Sequence, residues 1–340
     1  MRLCFAAVSL AAFTLAALPL LSQDVHVKVD PAGPGSIAST TDFTTVQQAL
    51  DHAPEAPHGR IIISIVPGVY HERIHVTQNR PRVTLLGLGT DPSGVVITAS
   101  QNAKSAGGTF FTETAEINGE SFEADNVTFE NTAGNTGQAV AISVRSDRAI
   151  FKHCRFLGDQ DTLFADYGRQ YYVDSYIAGG VDFIFGNAAA VFDHSEIHEL
   201  HRGYLTAQSR TAPDQMTGYI ITNSRVTVAS CLNDAPECRS NTPFAFFLGR
   251  PWRVYSRVVV MNTELPGWLD PAGWSAWGKN DATPQAFYAE YNNSGEGWRP
   301  KERAPWAHIL STKEAEAFAP KNFLRGTDNW DPIAEASKLP

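Results

Sequence analysis

The apolar positions of this chain form one short helical stretch and then, for most of its length, brief β-branched runs. Over Phe43-Thr-Thr-Val-Gln-Gln-Ala-Leu-Asp-His52 the apolar spacing is helical, with Asp42 expected to cap the start and Pro54 and Pro57 to stop the end. The runs that follow are Ile61 to Val66, Val83 to Leu86, Val95 to Thr98, Asn126 to Phe129, Ala149 to Phe151, Tyr171 to Val173, Ala190 to Phe192, Tyr219 to Ile221 and Val258 to Val260. No helical pattern separates them, so the chain reads as all-β.

Several runs lead into a small polar residue and a second short strand, as in Ile150-Phe-Lys-His-Cys-Arg-Phe156 and Tyr172-Val-Asp-Ser-Tyr-Ile177. Aligned on Cys154, Ser175, Ser195, Ser224 and Thr263, these units are 21, 20, 29 and 39 residues apart. The first two steps match one coil of a β-solenoid, and the longer ones fit coils carrying inserted loops. A small polar residue at each bend lets the backbone turn while stacked neighbours supply hydrogen bonds. A β-sandwich also has short strands and turn residues, but its strands alternate apolar and polar positions. Ile61-Ile-Ile63 and Phe183-Ile-Phe185 are continuously apolar. The pattern favours a right-handed parallel β-helix, single-stranded, with a short N-terminal helix and loop excursions.

Composition adds exclusions. At 340 residues, 43% hydrophobic, the chain can bury a full core and is neither disordered nor collagen-like. A formal charge of -9 without a Lys/Arg cluster argues against nucleic acid, and a neutral or partly neutralised polyanion suits it better than a fully charged one. The segment Met1 to Leu21 has one early Arg and a long apolar run, the pattern of a signal peptide. A membrane anchor is the alternative, but Pro19 and the polar Ser22-Gln-Asp24 favour cleavage. The expectation is a signal over 1–22 and a single domain over 23–340, secreted to the periplasm or beyond, monomeric and without stable membrane association. Cys154, Cys231 and Cys238 remain, an odd number; Cys231 and Cys238 could close a short loop, leaving Cys154 reduced and buried. With no C-x-x-C, no H-E-x-x-H and scattered His, neither a metal nor another cofactor is expected.

Candidate chemistry lies in Gly158-Asp-Gln-Asp-Thr-Leu-Phe164 and Val181-Asp-Phe-Ile-Phe-Gly-Asn187. Asp161 and Asp182 sit in segments that read as buried strand, where a carboxylate needs a partner or a role. They are 21 residues apart, which on a solenoid places them on neighbouring coils; that separation is about 5 Å along the axis. Gln138 precedes Gln160 by 22 residues, and Gln160 precedes Asp182 by 22, so amides and carboxylates could converge. Gln160 and Asp161 can share a site only at a bend or strand end, because adjacent strand residues face opposite sides.

Gly137-Gln-Ala-Val-Ala-Ile142, Gly158-Asp-Gln-Asp-Thr-Leu163, Val181-Asp-Phe-Ile-Phe-Gly-Asn187 and Leu248-Gly-Arg-Pro-Trp252 resemble, in this order, the signature blocks of the pectin methylesterases, carbohydrate esterase family 8. Tyr70 and Glu72 resemble its N-terminal block. The resemblance implies a right-handed parallel β-helix and hydrolysis of the C6 methyl esters of galacturonate in pectin, methyl-esterified homogalacturonan, with release of methanol. It implies Asp182 as nucleophile, Asp161 as acid and then base, Gln160 as oxyanion donor assisted by Gln138, Arg250 as partner of Asp182, Trp252 as a face for a sugar ring, and Thr109 as a substrate contact. The chain departs from the family at Ser175 and Ser195, where many members have Cys, and at Asp159, a position often aromatic. A carboxylate at 159 is expected to disturb one wall of the groove and to raise the pKa of Asp161. A glycoside hydrolase or lyase on the same fold, and a catalytically silent pectin-binding module, are the competing readings.

Overall fold

A computed structural model describes residues 23–32, 42–56, 58–229, 246–278 and 283–339. Their strands pair in parallel, coil upon coil, as a right-handed β-helix of three faces. One face is a twelve-stranded sheet whose middle is built from Glu123–Asp125, Ala149–Lys152, Arg169–Val173, Ala189–Asp193 and Gly218–Thr222. The second stacks Gly68–His71, Val95–Ala99, Thr128–Asn131 and Arg155–Leu157; the third stacks Ile74–Val76, Ala115–Ile117, Ile142–Arg145 and Leu163–Tyr167. The long strands Tyr176–Gly186 and Glu196–Gln208 run round the corner between these two faces. Tyr176–Gly186 pairs at one end with Arg155–Leu157 and at the other with Leu163–Tyr167.

The bend residues do what their polarity suggests. Cys154 N–H donates to Ser175 Oγ at 3.1 Å, Ser175 N–H to Ser195 Oγ at 3.2 Å and Ser195 N–H to Ser224 Oγ at 3.0 Å. Just before each of these four positions the chain enters the left-handed region, at His153, Asp174, His194 and Asn223, with φ between 48° and 50°. Asn, Asp and His tolerate that region better than most residues. Cys154 is buried and unpaired, and burial pushes its thiol up to about 12. Cys231, Cys238 and the segment 1–22 lie outside the described residues.

Inside, aromatic rings stack from coil to coil. Phe151 lies 4.8 Å from Tyr172 at 5°, and Tyr172 lies 4.8 Å from Phe192. Outside, the short helices over Thr312–Ala315, Pro320–Phe323 and Pro332–Ala336 lay Leu324, Trp330 and Leu339 on the outer side of the large sheet, against Ile150, Tyr171 and Val191. These pieces were not expected from the sequence, and they explain why residues on both sides of that sheet are apolar.

The N-terminal helix spans Val46–His52, and its cap is Thr45, not Asp42. Thr45 Oγ1 accepts from Gln48 N–H at 3.2 Å, while the Glu72 carboxylate accepts from Val46 N–H and Gln47 N–H, both at 2.9 Å. Two free helix donors and the helix dipole thus attract a carboxylate from another part of the chain, a partner that local spacing could not reveal. Replacing the wholly buried Phe151 by Ala opens a gap in the ring stack. Denaturant unfolding is expected to show a loss of about 3–5 kcal/mol.

Candidate active site

Asp161 and Asp182 occupy the same point on successive coils. Leu163 pairs with Ile184 and Phe164 with Phe185, and Asp161 N–H donates to Val181 C=O at 3.1 Å. Both aspartates take the left-handed conformation, φ 65° and 51°. That turn interrupts the strict alternation of a strand. Phe183 and Ile184 both enter the core, while Asp182 faces an outer cleft, as does Phe185.

Arg250 holds Asp182 with a two-point grip: Nε donates to Oδ1 at 2.9 Å and Nη2 to Oδ2 at 2.6 Å. Its guanidinium lies between two rings, 3.9 Å from the centre of Tyr204 and 4.2 Å from that of Trp277. The segment reaches this place because Gly249 lies against the previous coil, where a Cβ would fall 2.0 Å from Thr206 Oγ1. Beyond it, Arg250 N–H donates to Thr206 C=O at 3.0 Å and Trp252 N–H to Gln208 C=O at 3.1 Å.

Burial raises the Asp182 carboxyl above the ordinary carboxylate range, with Arg250 pulling it back. Asp161 has no such grip. Burial first, and the negative charge of Asp182 second, push it up to about 8, against a weaker pull from Arg250. Asp182 therefore ionises first, and Asp161 holds its proton through neutral pH.

Thr109, Gln138, Gln160, Asp161, Asp182, Arg250 and Trp252 all line one cleft of about 280 Å³, together with Phe110, Phe185, Ala207 and Trp277. Gln138 and Gln160 are fixed by their backbones, Gln138 C=O accepting from Ala103 N–H at 2.8 Å and Gln160 C=O from Ala139 N–H at 3.0 Å. Their side-chain amides have no protein partner among the described residues. Phe110 stacks toward Phe164 at 4.9 Å, Phe164 on Phe185 at 4.6 Å, and Trp252 lies 6.4 Å from Trp277. The cleft is thus polar at the carboxylates and flanked by flat apolar faces. A larger open groove of about 670 Å³ follows the bends past Arg155, Tyr176 and Arg225, but its Asp174 is half exposed and its Glu196 is paired with Arg225.

Sequence reasoning missed Phe110, Phe185, Ala207 and Trp277. Phe185 had a signal: three consecutive apolar strand residues cannot all face the core. Trp277 sits on a loop and Phe110 in a single helical turn over Thr109–Phe111, and neither had one. Asp159 also departs from expectation. It is buried, stands outside the cleft, and accepts from His201 Nε2 at 2.8 Å; the shift of Asp161 arises from burial and Asp182 instead.

The family model described as Pectinesterase matches residues 36–327. Pectinesterase 1 of Citrus sinensis is 40% identical over 85% of this chain and 50% of its own length, and a Daucus carota pectinesterase is 39% identical over 84% and 90%. Among solved structures, the pectin methylesterase from carrot superposes with a TM-score of 0.81 at 35% identity, covering 97% of this chain and 98% of that one. A parallel β-helix is the architecture of the pectin methylesterases, which are ester hydrolases, and the chain belongs to the pectinesterase family. It spans about half the length of several curated relatives, the Citrus protein among them.

A carboxyl that titrates near 8 when folded and near 4 when unfolded is protonated only in the native state between those values, so its contribution to stability declines as pH rises across that window. Asp161→Asn should escape the decline. Relative to the parent, its unfolding free energy is expected to improve by at least about 1 kcal/mol between pH 4 and pH 8, read from denaturation curves at both.

Proposed function

We propose that this protein hydrolyses the C6 methyl esters of galacturonate in pectin, giving methanol and de-esterified pectin. The observation that carries the reading is the unequal setting of two carboxylates in one cleft: Asp182 is gripped by two hydrogen bonds from Arg250, while Asp161 has no such grip and burial raises it to about 8. Carboxylate nucleophiles are weak, so the ester needs help at both ends. Asp182 adds to the C6 carbonyl, and the amide N–H groups of Gln160 and Gln138 donate to the oxyanion that forms. Collapse breaks the C–O bond to the methoxy group, which takes the proton of Asp161 and leaves as methanol. Asp161, now ionised, takes a proton from water as the hydroxide adds to the acyl-enzyme carbonyl; the second collapse frees Asp182 and the galacturonate carboxyl. Trp252 and its aromatic neighbours offer faces to the sugar rings, and Thr109, which also lines the cleft, serves as a further substrate contact. The reading includes export of the chain after removal of residues 1–22, since pectin lies outside the cell.

Methyl-esterified pectin is expected to yield methanol without new reducing ends, and new reducing ends would indicate a glycosidase or lyase instead. Asp182→Asn should fold like the parent by circular dichroism and lose at least ~10³-fold in turnover. The rate should rise with pH as Asp182 loses its proton and fall as Asp161 loses its own near 8, a bell whose alkaline limb disappears in Asp161→Asn along with most activity. Exhaustive chelation should leave methanol release unchanged, because each step above uses Asp, Gln or Arg.

A further inference from the structure

Tyr176–Gly186 pairs with Glu196–Gln208 in two registers, Gly179 opposite Glu199 and then Val181 opposite Tyr204. Between them, Gly180 alone faces the four residues from Leu200 to Gly203. The surplus chain carries His201 back over Gly180, where a Cβ would lie 2.1 Å from His201 Nε2, so glycine alone leaves the passage open. On the far side, His201 Nε2 meets Asp159 Oδ1 at 2.8 Å, with the two side chains only 12% and 10% exposed. A residue from the coil after Asp182 thus reaches across that coil to the one before it.

The two ends of this link bracket the reacting groups. Asp159 adjoins Gln160 and stands two residues before Asp161; Gly180 stands two before Asp182. Asp159 C=O also accepts from Gly180 N–H at 3.1 Å and from Thr162 Oγ1 at 3.2 Å, tying the same turn to the same strand. Glu199 lies wholly buried nearby, driven well above its ordinary range by burial first and by the charge of Asp159 next. Asp182, also felt by Glu199, is held by Arg250. Neither Asp159 nor His201 lines the cleft.

We infer that Asp159 and His201 form a positioning clamp, which spans the coil of Asp182 and fixes the Gln160–Asp161 turn against it without touching substrate. The inference rests on the ester hydrolysis proposed above.

The test is a double-mutant cycle on methanol release with Asp159→Asn, His201→Ala and the double variant, with His201→Gln retaining an N–H donor. Each single change is expected to lower kcat by ~10-fold or more with KM within about twofold, and the double variant to be no worse than either single one. His201→Gln should recover part of the loss. Parental kcat in the single variants, additive losses, or a change confined to KM would overturn the clamp. If the parent releases no methanol, the functional reading fails, and the clamp is decided by the crystal structure of Asp159→Asn: a displaced Gln160–Asp161 turn supports it, an unmoved one overturns it. If His201→Ala does not fold, Asp159→Asn and His201→Gln carry both arms.

Discussion

Two largely buried carboxylates one strand spacing apart cannot both be charged at modest cost. The coil repeat sets that spacing: a residue of one coil sits over its counterpart 21 positions on, and parallel pairing keeps it there. Something must then decide which carboxylate gives up its proton. Arg250 decides it, by two hydrogen bonds to Asp182 and none to Asp161. The rings of Tyr204 and Trp277 hold the guanidinium from both sides, so the choice is built into packing as well as charge.

The solenoid meets this demand cheaply because its inner and outer surfaces are separate. The core is filled by stacked rings such as Phe151, Tyr172 and Phe192, while a second apolar cluster of Val140, Phe164, Phe185 and Ala207 lines the outer face beside the cleft. Polar groups can therefore be mounted on the outside of a rigid wall without opening the core. The left-handed turns at Asp161 and Asp182 are the local departures from strand geometry that make the mounting possible.

Much of this was legible in the sequence, for a physical reason. Repeats report stacking directly, so the bend residues from Cys154 to Ser224 and the 21-residue offset of the aspartates already contained the coil register. All seven residues singled out as candidates share one cleft, and all but Thr109 lie in the four sequence blocks quoted above. What stayed hidden depends on contacts without a repeat. Glu72 caps a helix 25 residues before it; the C-terminal helices cover a sheet face whose outward apolar residues looked like interior ones; Trp277 arrives on a loop and Phe110 on a single helical turn. Asp159 was read as a neighbour of Asp161 along the chain, whereas the extra residues around His201 give it a partner 42 residues away.

The central claim is the division of protonation, and carboxyl-carbon NMR with labelled aspartate reads it directly, Asp161→Asn and Asp182→Asn serving to assign the two signals. At pH 6 to 7 the resonance of Asp161 should be that of a carboxylic acid and that of Asp182 that of a carboxylate, with Asp161 titrating near 8. Two ionised aspartates at that pH, or a proton held by Asp182 rather than Asp161, would contradict the account.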